Sequence, residues 1–434
     1  MKLRRRFLPA DVTGNVFRGM ATLALGSSVG RFIGIASMPV LTRLYGPEDY
    51  GVLAVFSAMV FMLAPVLTLR YVMAVPLPRH DGTAINLMAL SLALTVVITL
   101  LVTALLFAFA DPILSSLSMT ELAPWWWLVL LAMVGTSGYE TLTAWATRRR
   151  GYRTIARTQV SQNLMGAAIK IGLGLLAIKP GGLLIGQMAS QVGGIGTYLR
   201  HFRHDIRANA RFVSLRRMKL VAGRYRGFPV YRLPSKFLLV YSVQAPVLFF
   251  SAIYGAGATG HLGLALAAMA LPVTLVSQSL ADAFFAELST LDRRDIDTQW
   301  HIVVRVIKVV SAISVPVFLL LFFFAKPFSV VVFGEDWATT GVFLTALSPY
   351  IVVQLIANPV TKVLAVHEMH RVFLWINIQR ALLISAVFLL AFWLDWPAII
   401  AISVFSGVLF AHYVFCVVVT LKLLRNKMKN RSTG

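Results

Sequence analysis

LTRLYGPEDYGVLAVFSA, residues 41–58, stands between two long apolar runs and sets the rhythm of the whole chain. Gly46 is placed to end one helix in a left-handed conformation, and Pro47 suits the first position of the next. Glu48 and Asp49 then fall in a first turn, where the helix dipole favours negative charge. The spacing predicts a tight helical hairpin. The same phrasing returns as YGAGATGHLGLALAA at 254–268. Tyr45, Gly46, Gly51 and Leu53 correspond there to Tyr254, Gly255, Gly260 and Leu262, each 209 residues further on. FADP at 109–112 is echoed by FAKP at 324–327, 215 residues on. Two echoes at nearly one offset indicate a duplicated chain.

The 434 residues are 58% hydrophobic and 13% charged, with a mean hydropathy of +0.78. Apolar segments of about 20 residues, each long enough to cross a bilayer core as a helix, recur throughout. They fall near 16–41, 50–75, 84–110, 124–147, 154–178 and 181–200 in the first half. The second half supplies 228–253, 259–285, 301–325, 338–366, 371–394 and 397–421. The expected fold is therefore an all-α polytopic membrane protein with about 12 transmembrane helices in two pseudo-symmetric six-helix lobes. Residues 1–201 form the N-terminal lobe, 202–227 a basic cytoplasmic linker, 228–425 the C-terminal lobe and 426–434 a basic cytoplasmic tail.

The formal charge of +23 is concentrated at the ends of apolar runs. Arg4 to Arg6, Arg79, Arg148 to Arg150, the stretch 200–226 and the C-terminal bases fall on one side. Glu48, Asp49, Asp111, Glu121, Glu335, Asp336 and Asp395 fall on the other, with a few bases such as Lys179 and Lys326. By the positive-inside rule both termini are cytoplasmic. No soluble basic module is present, so anionic lipid is a better partner for this charge than nucleic acid. Cys416 is the sole cysteine, which excludes disulfides and cysteine-based metal sites. The basic start resembles a signal peptide, but the run that follows is too long for a cleaved one and reads as a first span.

Ionisable groups inside spans are costly and tend to face internal cavities. Arg31 lies about 15 residues into span 1, ~22 Å along it, beside a ladder of Gly26, Gly30 and Gly34 suited to close helix packing. Gln159, Asn163, Gly166 and Lys170 share one face of span 5 and read as pathway lining. Arg232, Lys236 and Arg380 fit either snorkelling or cavity lining, whereas Arg70 sits close enough to a span end to snorkel. Acids are scarce: Glu140, and Asp282 one turn after Gln278, either neutralise a base or carry a coupling ion. A cationic interior points to an anionic substrate such as a phosphate or diphosphate. No catalytic constellation, metal site or nucleotide-binding glycine loop stands out, so the expectation is a transporter without cofactor rather than an enzyme.

LTRLYGPEDYG (41–51), RYVMAVPLPR (70–79), ATRRRGYRTIARTQVSQ (146–162) and LPVTLVSQSLADAFFAELS (271–289), with VFGEDWATTGVFLTALSPY (332–350) and ANPVTKVLAV (357–366), resemble the Wzx-like oligosaccharide flippases. These belong to the multidrug/oligosaccharidyl-lipid/polysaccharide superfamily, so the resemblance implies a MATE-like fold. It also implies translocation of undecaprenyl-diphosphate-linked oligosaccharide from the cytoplasmic to the periplasmic leaflet of a bacterial inner membrane. Alternating access through a cationic cavity between the lobes would carry the substrate. Arg31, Lys170, Arg232, Lys236 and Arg380 would then serve the diphosphate, and Gln159, Asn163 and Gln278 the sugar hydroxyls. Glu140 and Asp282 are the candidates for ion coupling. Polysaccharide polymerase and chain-length proteins would be its pathway partners. One position departs from the pattern: after Arg70 and Tyr71 the family usually has Glu, and here stands Val72. The competing readings are a MATE-like drug exporter, which would want more buried carboxylates, a lipid II flippase, and a membrane glycan polymerase or ligase, which would want a large periplasmic loop.

Overall fold

The computed structural model describes residues 25–273, 279–291 and 295–432, with the single residues 22 and 277. Among these residues the chain is helical throughout, as it must be where no water is available to satisfy backbone groups. The helices are α1 (25–36), α2 (Met38–Leu44), α3 (Pro47–Leu67), α4 (Asp81–Ser116), α5 (Trp126–Arg148), α6 (Tyr152–Leu175), α7 (Gly181–Val192) and α8 (Ile195–Ala210). They continue as α9 (Leu215–Arg224), α10 (Leu233–Pro272), α11 (Ser279–Thr290), α12 (Ile296–Phe333), α13 (Ala338–Val366), α14 (His370–Trp393) and α15 (Ala398–Ser432).

Seven stretches among the described residues are long and apolar enough to span a bilayer by themselves; the helices α5 to α8 are not among them. Large apolar side chains face outward, Phe107 at 82% and Trp393 at 79% exposure, which only a hydrocarbon solvent makes inexpensive. This is a multi-pass membrane protein. The runs expected at 228–253 and 259–285 meet inside α10, which turns at Gly255. Gly255 has φ +77°, so a side chain there would be strained. The left-handed glycine of the repeated word is thus Gly255 in its second copy. Gly46, expected to take that conformation, does not; instead its N–H donates to Asp49 Oδ2 at 3.0 Å. The basic stretch 200–226 is also ordered, contributing the end of α8 and all of α9.

The chain forms two compact units. The first holds residues up to Leu44, Met59–Pro112 and Glu121–Phe237; the second holds Tyr45–Ala58, Ile113–Thr120 and Leu238–Gly434. The first unit is built on Tyr71, Leu87, Trp145, Tyr198 and Phe202, all at least nine-tenths buried. The second is built on Phe250, Leu262, Leu347, Ile351, Phe388 and Phe405.

Within the second unit, the two copies of the repeated word pack on each other. A Cβ on Gly51 would strike the carbonyl of Ala256, and one on Gly260 would strike the carbonyl of Pro47. These contacts exchange under the 209-residue offset, since Pro47 corresponds to Ala256 and Gly51 to Gly260. Two further neighbours are each other's own counterparts: a Cβ on Gly263 would lie 2.9 Å from Ala54 Cβ, and one on Gly257 would lie 3.7 Å from Glu48 Cγ. An internal two-fold therefore passes through this crossing, and glycine is what allows the backbones to approach so closely.

Candidate functional site

In the first unit, α3 ends at Leu67 and the chain turns through Leu69 and Arg70, both left-handed at φ 44° and 62°. Bulky residues seldom take that conformation, so the surroundings must hold it. Tyr71 and Val72 are buried directly after the turn, and the Tyr71 hydroxyl donates to the Ala222 carbonyl at 3.0 Å. The turn directs Arg70 toward α5, where Nη1 donates to Glu140 Oε1 at 3.0 Å. Their side chains are 13% and 32% exposed. Lys236, on the first turn of α10, adds a second positive charge close enough to act on Glu140. One carboxylate thus serves two cations. Arg70 does not snorkel, as its place near a span end suggested; it pairs inward. Glu140 reaches Arg70 across 70 residues of sequence, while the neighbouring Val72 is apolar and fully buried.

The polar stripe of α6 is divided between two neighbours. Its first half faces α1: Ser27 Oγ donates to Gln159 Oε1 at 2.6 Å, and a Cβ on Gly26 would strike Ala156. Gly30 rests on the Gln159 carbonyl and on the Asn163 amide. The glycine ladder of α1 is therefore a packing surface for α6. The second half faces α7, where Gly166 closes on Ser190 and Lys170 Nζ donates to Gln187 Oε1 at 2.7 Å. Arg31 on α1 and Arg232, just ahead of α10, are exposed and form no ion pair among the described residues.

A clamp of charges ties α4, α5 and α8 where α5 ends. Arg148 donates to Asp81 at 2.7 and 2.9 Å; Arg149 bridges Asp81 and Asp205 at 2.9 and 2.6 Å. Trp145 Nε1 donates to the same Asp205 at 2.9 Å. The Asp205 hydrogen bond, with the charges of both carboxylates, holds Arg149 above the usual arginine range. Burial works against it.

The second unit carries its own cation without a carboxylate. Arg380, nearly three turns into α14, donates to Asn377 Oδ1 at 3.2 Å and to Tyr413 Oη at 3.4 Å. Its Nε is buried with no partner. Tyr413 also accepts from Gln354 Nε2 at 3.1 Å, which anchors α15 to α13. His412, 3% exposed, lies 3.4 Å from Cys416 Sγ, and its Nδ1 has no partner. Sequence reasoning found Arg380 but missed Asn377, His412 and Tyr413. A signal existed: Asn377 and Arg380 are three apart, and His412 and Cys416 four apart, so each pair shares a helix face. Gln278 and the side chain of Asp282 lie outside the described residues. Among the described residues no group of three metal-ligating side chains occurs.

Residues 40–341 match the family described as polysaccharide biosynthesis protein. The succinoglycan biosynthesis transport protein ExoT of Rhizobium meliloti (strain 1021) is 23% identical over 332 residues, 75% of this chain. The match spans 63% of that protein, less than two thirds of its length. Among solved structures, the lipid II flippase MurJ in an inward closed conformation superposes with a TM-score of 0.64 at 12% identity, over 94% of this chain and 90% of that one. A MATE transporter in complex with MaL6 gives 0.53 at 14% identity, over 96% and 97%. The fold is of the MurJ and MATE kind.

Proposed function

Because the chain belongs to the polysaccharide biosynthesis protein family, we propose that it is a flippase for undecaprenyl-diphosphate-linked oligosaccharide units. It delivers them from the cytoplasmic to the periplasmic leaflet of a bacterial inner membrane, for O-antigen, capsule or exopolysaccharide assembly. One observation carries the reading: among the described residues, the half-buried cations of these clusters outnumber the carboxylates that meet them. Arg70 and Lys236 share one carboxylate, and Arg380 has only neutral partners. A desolvated cation of that kind gains most from a multiply charged oxyanion, which a diphosphate supplies and an organic cation does not.

In this reading Arg31, Lys170, Arg232, Lys236 and Arg380 serve the diphosphate, and Gln159 and Asn163 the sugar hydroxyls. Glu140 acts as counter-ion to Arg70, holding the turn until substrate arrives. The clamp at Arg148 and Arg149, with the bases of α8 and α9, faces the cytoplasm with both termini. Access alternates between the leaflets while the isoprenoid tail stays in the bilayer. Polymerase and chain-length proteins receive the product.

Reconstituted protein should move a fluorescent undecaprenyl-diphosphate oligosaccharide across vesicles, and Arg380→Met should slow that movement at least about tenfold, the loss of one charge-assisted contact. Efflux of an organic cation by wild type, with no movement of any cognate glycan lipid, would overturn the reading in favour of a drug exporter.

A further inference from the structure

Outside the polar clusters, the second unit carries an open cavity of about 680 Å³ among α12, α13 and α15. Its walls include Phe322, Pro349, Ile399, Gly407 and Phe410, with Lys326 beside them. Gly407 leaves the floor open: nothing lies within 4 Å of where its Cβ would be. Ser403 turns its hydroxyl onto the Ile399 carbonyl at 2.8 Å and so presents carbon to the cavity.

The dimensions fit one kind of occupant. From Ile399 to Phe410 the wall runs eleven residues of α15, ~16 Å at the helical rise, about half of a ~30 Å hydrocarbon core. The cavity is therefore as deep as one leaflet. Helix α12 finishes at the end where α13 and α15 begin, because α14 returns the chain across the membrane between them. Lys326 lies two turns from that end of α12, which puts its ammonium within reach of headgroups. It is exposed, and none of the four ion pairs among the described residues involves it. Phe323, Phe324 and Phe328, all exposed, mark the flanking surface as lipid-facing.

We propose that this cavity holds an acyl chain of an anionic phospholipid, with Lys326 paired to the phosphate. The proposal needs the chain to be embedded in a membrane and does not rest on the transport reading. A zwitterionic lipid satisfies its phosphate with its own amine, so a lone lysine selects the anionic headgroup. One such pair near the interface corresponds to about fivefold in affinity.

Native mass spectrometry of the delipidated full chain, titrated with phosphatidylglycerol or phosphatidylethanolamine, tests this. Wild type should retain phosphatidylglycerol about fivefold better. Gly407→Leu, whose Cβ would meet nothing within 4 Å, should lose the adduct of either lipid. Lys326→Gln should keep a lipid and lose the preference. Gly172→Leu, equally open but on α6 of the first unit, should bind as wild type does. Full phosphatidylglycerol binding by Gly407→Leu, or an undiminished preference in Lys326→Gln, overturns the proposal. Displacement of phosphatidylglycerol by an equal concentration of undecaprenyl phosphate also overturns it, and gives the cavity to the isoprenoid carrier.

Discussion

The two units bury positive charge in different ways. In the first, Arg70 is met by a full carboxylate, Glu140, with Lys236 close by. In the second, Arg380 is met by an amide oxygen and a phenol, while in both units the guanidinium Nε is buried without a partner. A carboxylate partner recovers much of the cost of desolvating the cation, but leaves each member dependent on the other. Neutral dipoles recover less and leave nothing charged behind if the arginine goes. The first arrangement holds a strained turn in place; the second keeps a cation available.

The comparison breaks most sharply on removal of the arginines. Arg70→Met leaves the half-buried Glu140 with Lys236 alone for a counter-charge and should cost about 2 kcal/mol in thermal unfolding in detergent. Adding Glu140→Leu should return part of that, because the acid that lost its arginine is then gone and only the Lys236 charge is left without its partner. If the double variant is no more stable than the single, the pair is not what supports the turn. Arg380→Met should change stability by less than about 1 kcal/mol, since no carboxylate is left alone, yet it should impair transport. A large stability loss there would mean that Asn377 and Tyr413 compensate the charge as fully as an acid does.

A third case sharpens the contrast, because it places ion pairs near solvent. Asp205→Asn weakens the clamp on Arg149 and the Trp145 bond, with the paired side chains 31% and 32% exposed. About 1 kcal/mol is expected by the same unfolding measurement, shrinking as salt is raised. An effect independent of salt would assign the loss to the Trp145 hydrogen bond.

How much of this was legible before the fold depended on sequence distance. Helix α13 runs Ala338–Val366, the expected 338–366, because Glu335 and Asp336 before it and His367 after it bound a clean apolar run. Helix α14 agrees to within a residue for the same reason. The Gly26, Gly30 and Gly34 ladder advertised close packing, and α6 is what it packs on. The Arg70–Glu140 pair was not legible: its members sit on different elements, and periodicity only relates residues on one helix. Nor was the left-handed turn at Leu69 and Arg70, whose residue types argue against it. Hydropathy likewise conceals that Tyr45–Ala58 packs with the second unit, because a helix can be apolar on every side.

The crossing of Gly51 with Ala256 and of Gly260 with Pro47 has a historical meaning as well. Contacts that exchange under a fixed offset, with Ala54 facing its own counterpart Gly263, have the form of an isologous interface between two identical subunits. An ancestor of half the length would have met a second copy of itself here, every substitution felt twice at the axis. In the present chain that constraint is relaxed: Ala54 faces a glycine, Gly263, and a carboxylate stands beside Arg70 and not beside Arg380. The two glycines nearest the axis have not diverged. Gly51→Ala and Gly260→Ala should therefore destabilise the protein equally, to within about 0.5 kcal/mol, when unfolding is measured side by side. A clear inequality would show that the axis survives in the backbone but no longer in the energetics.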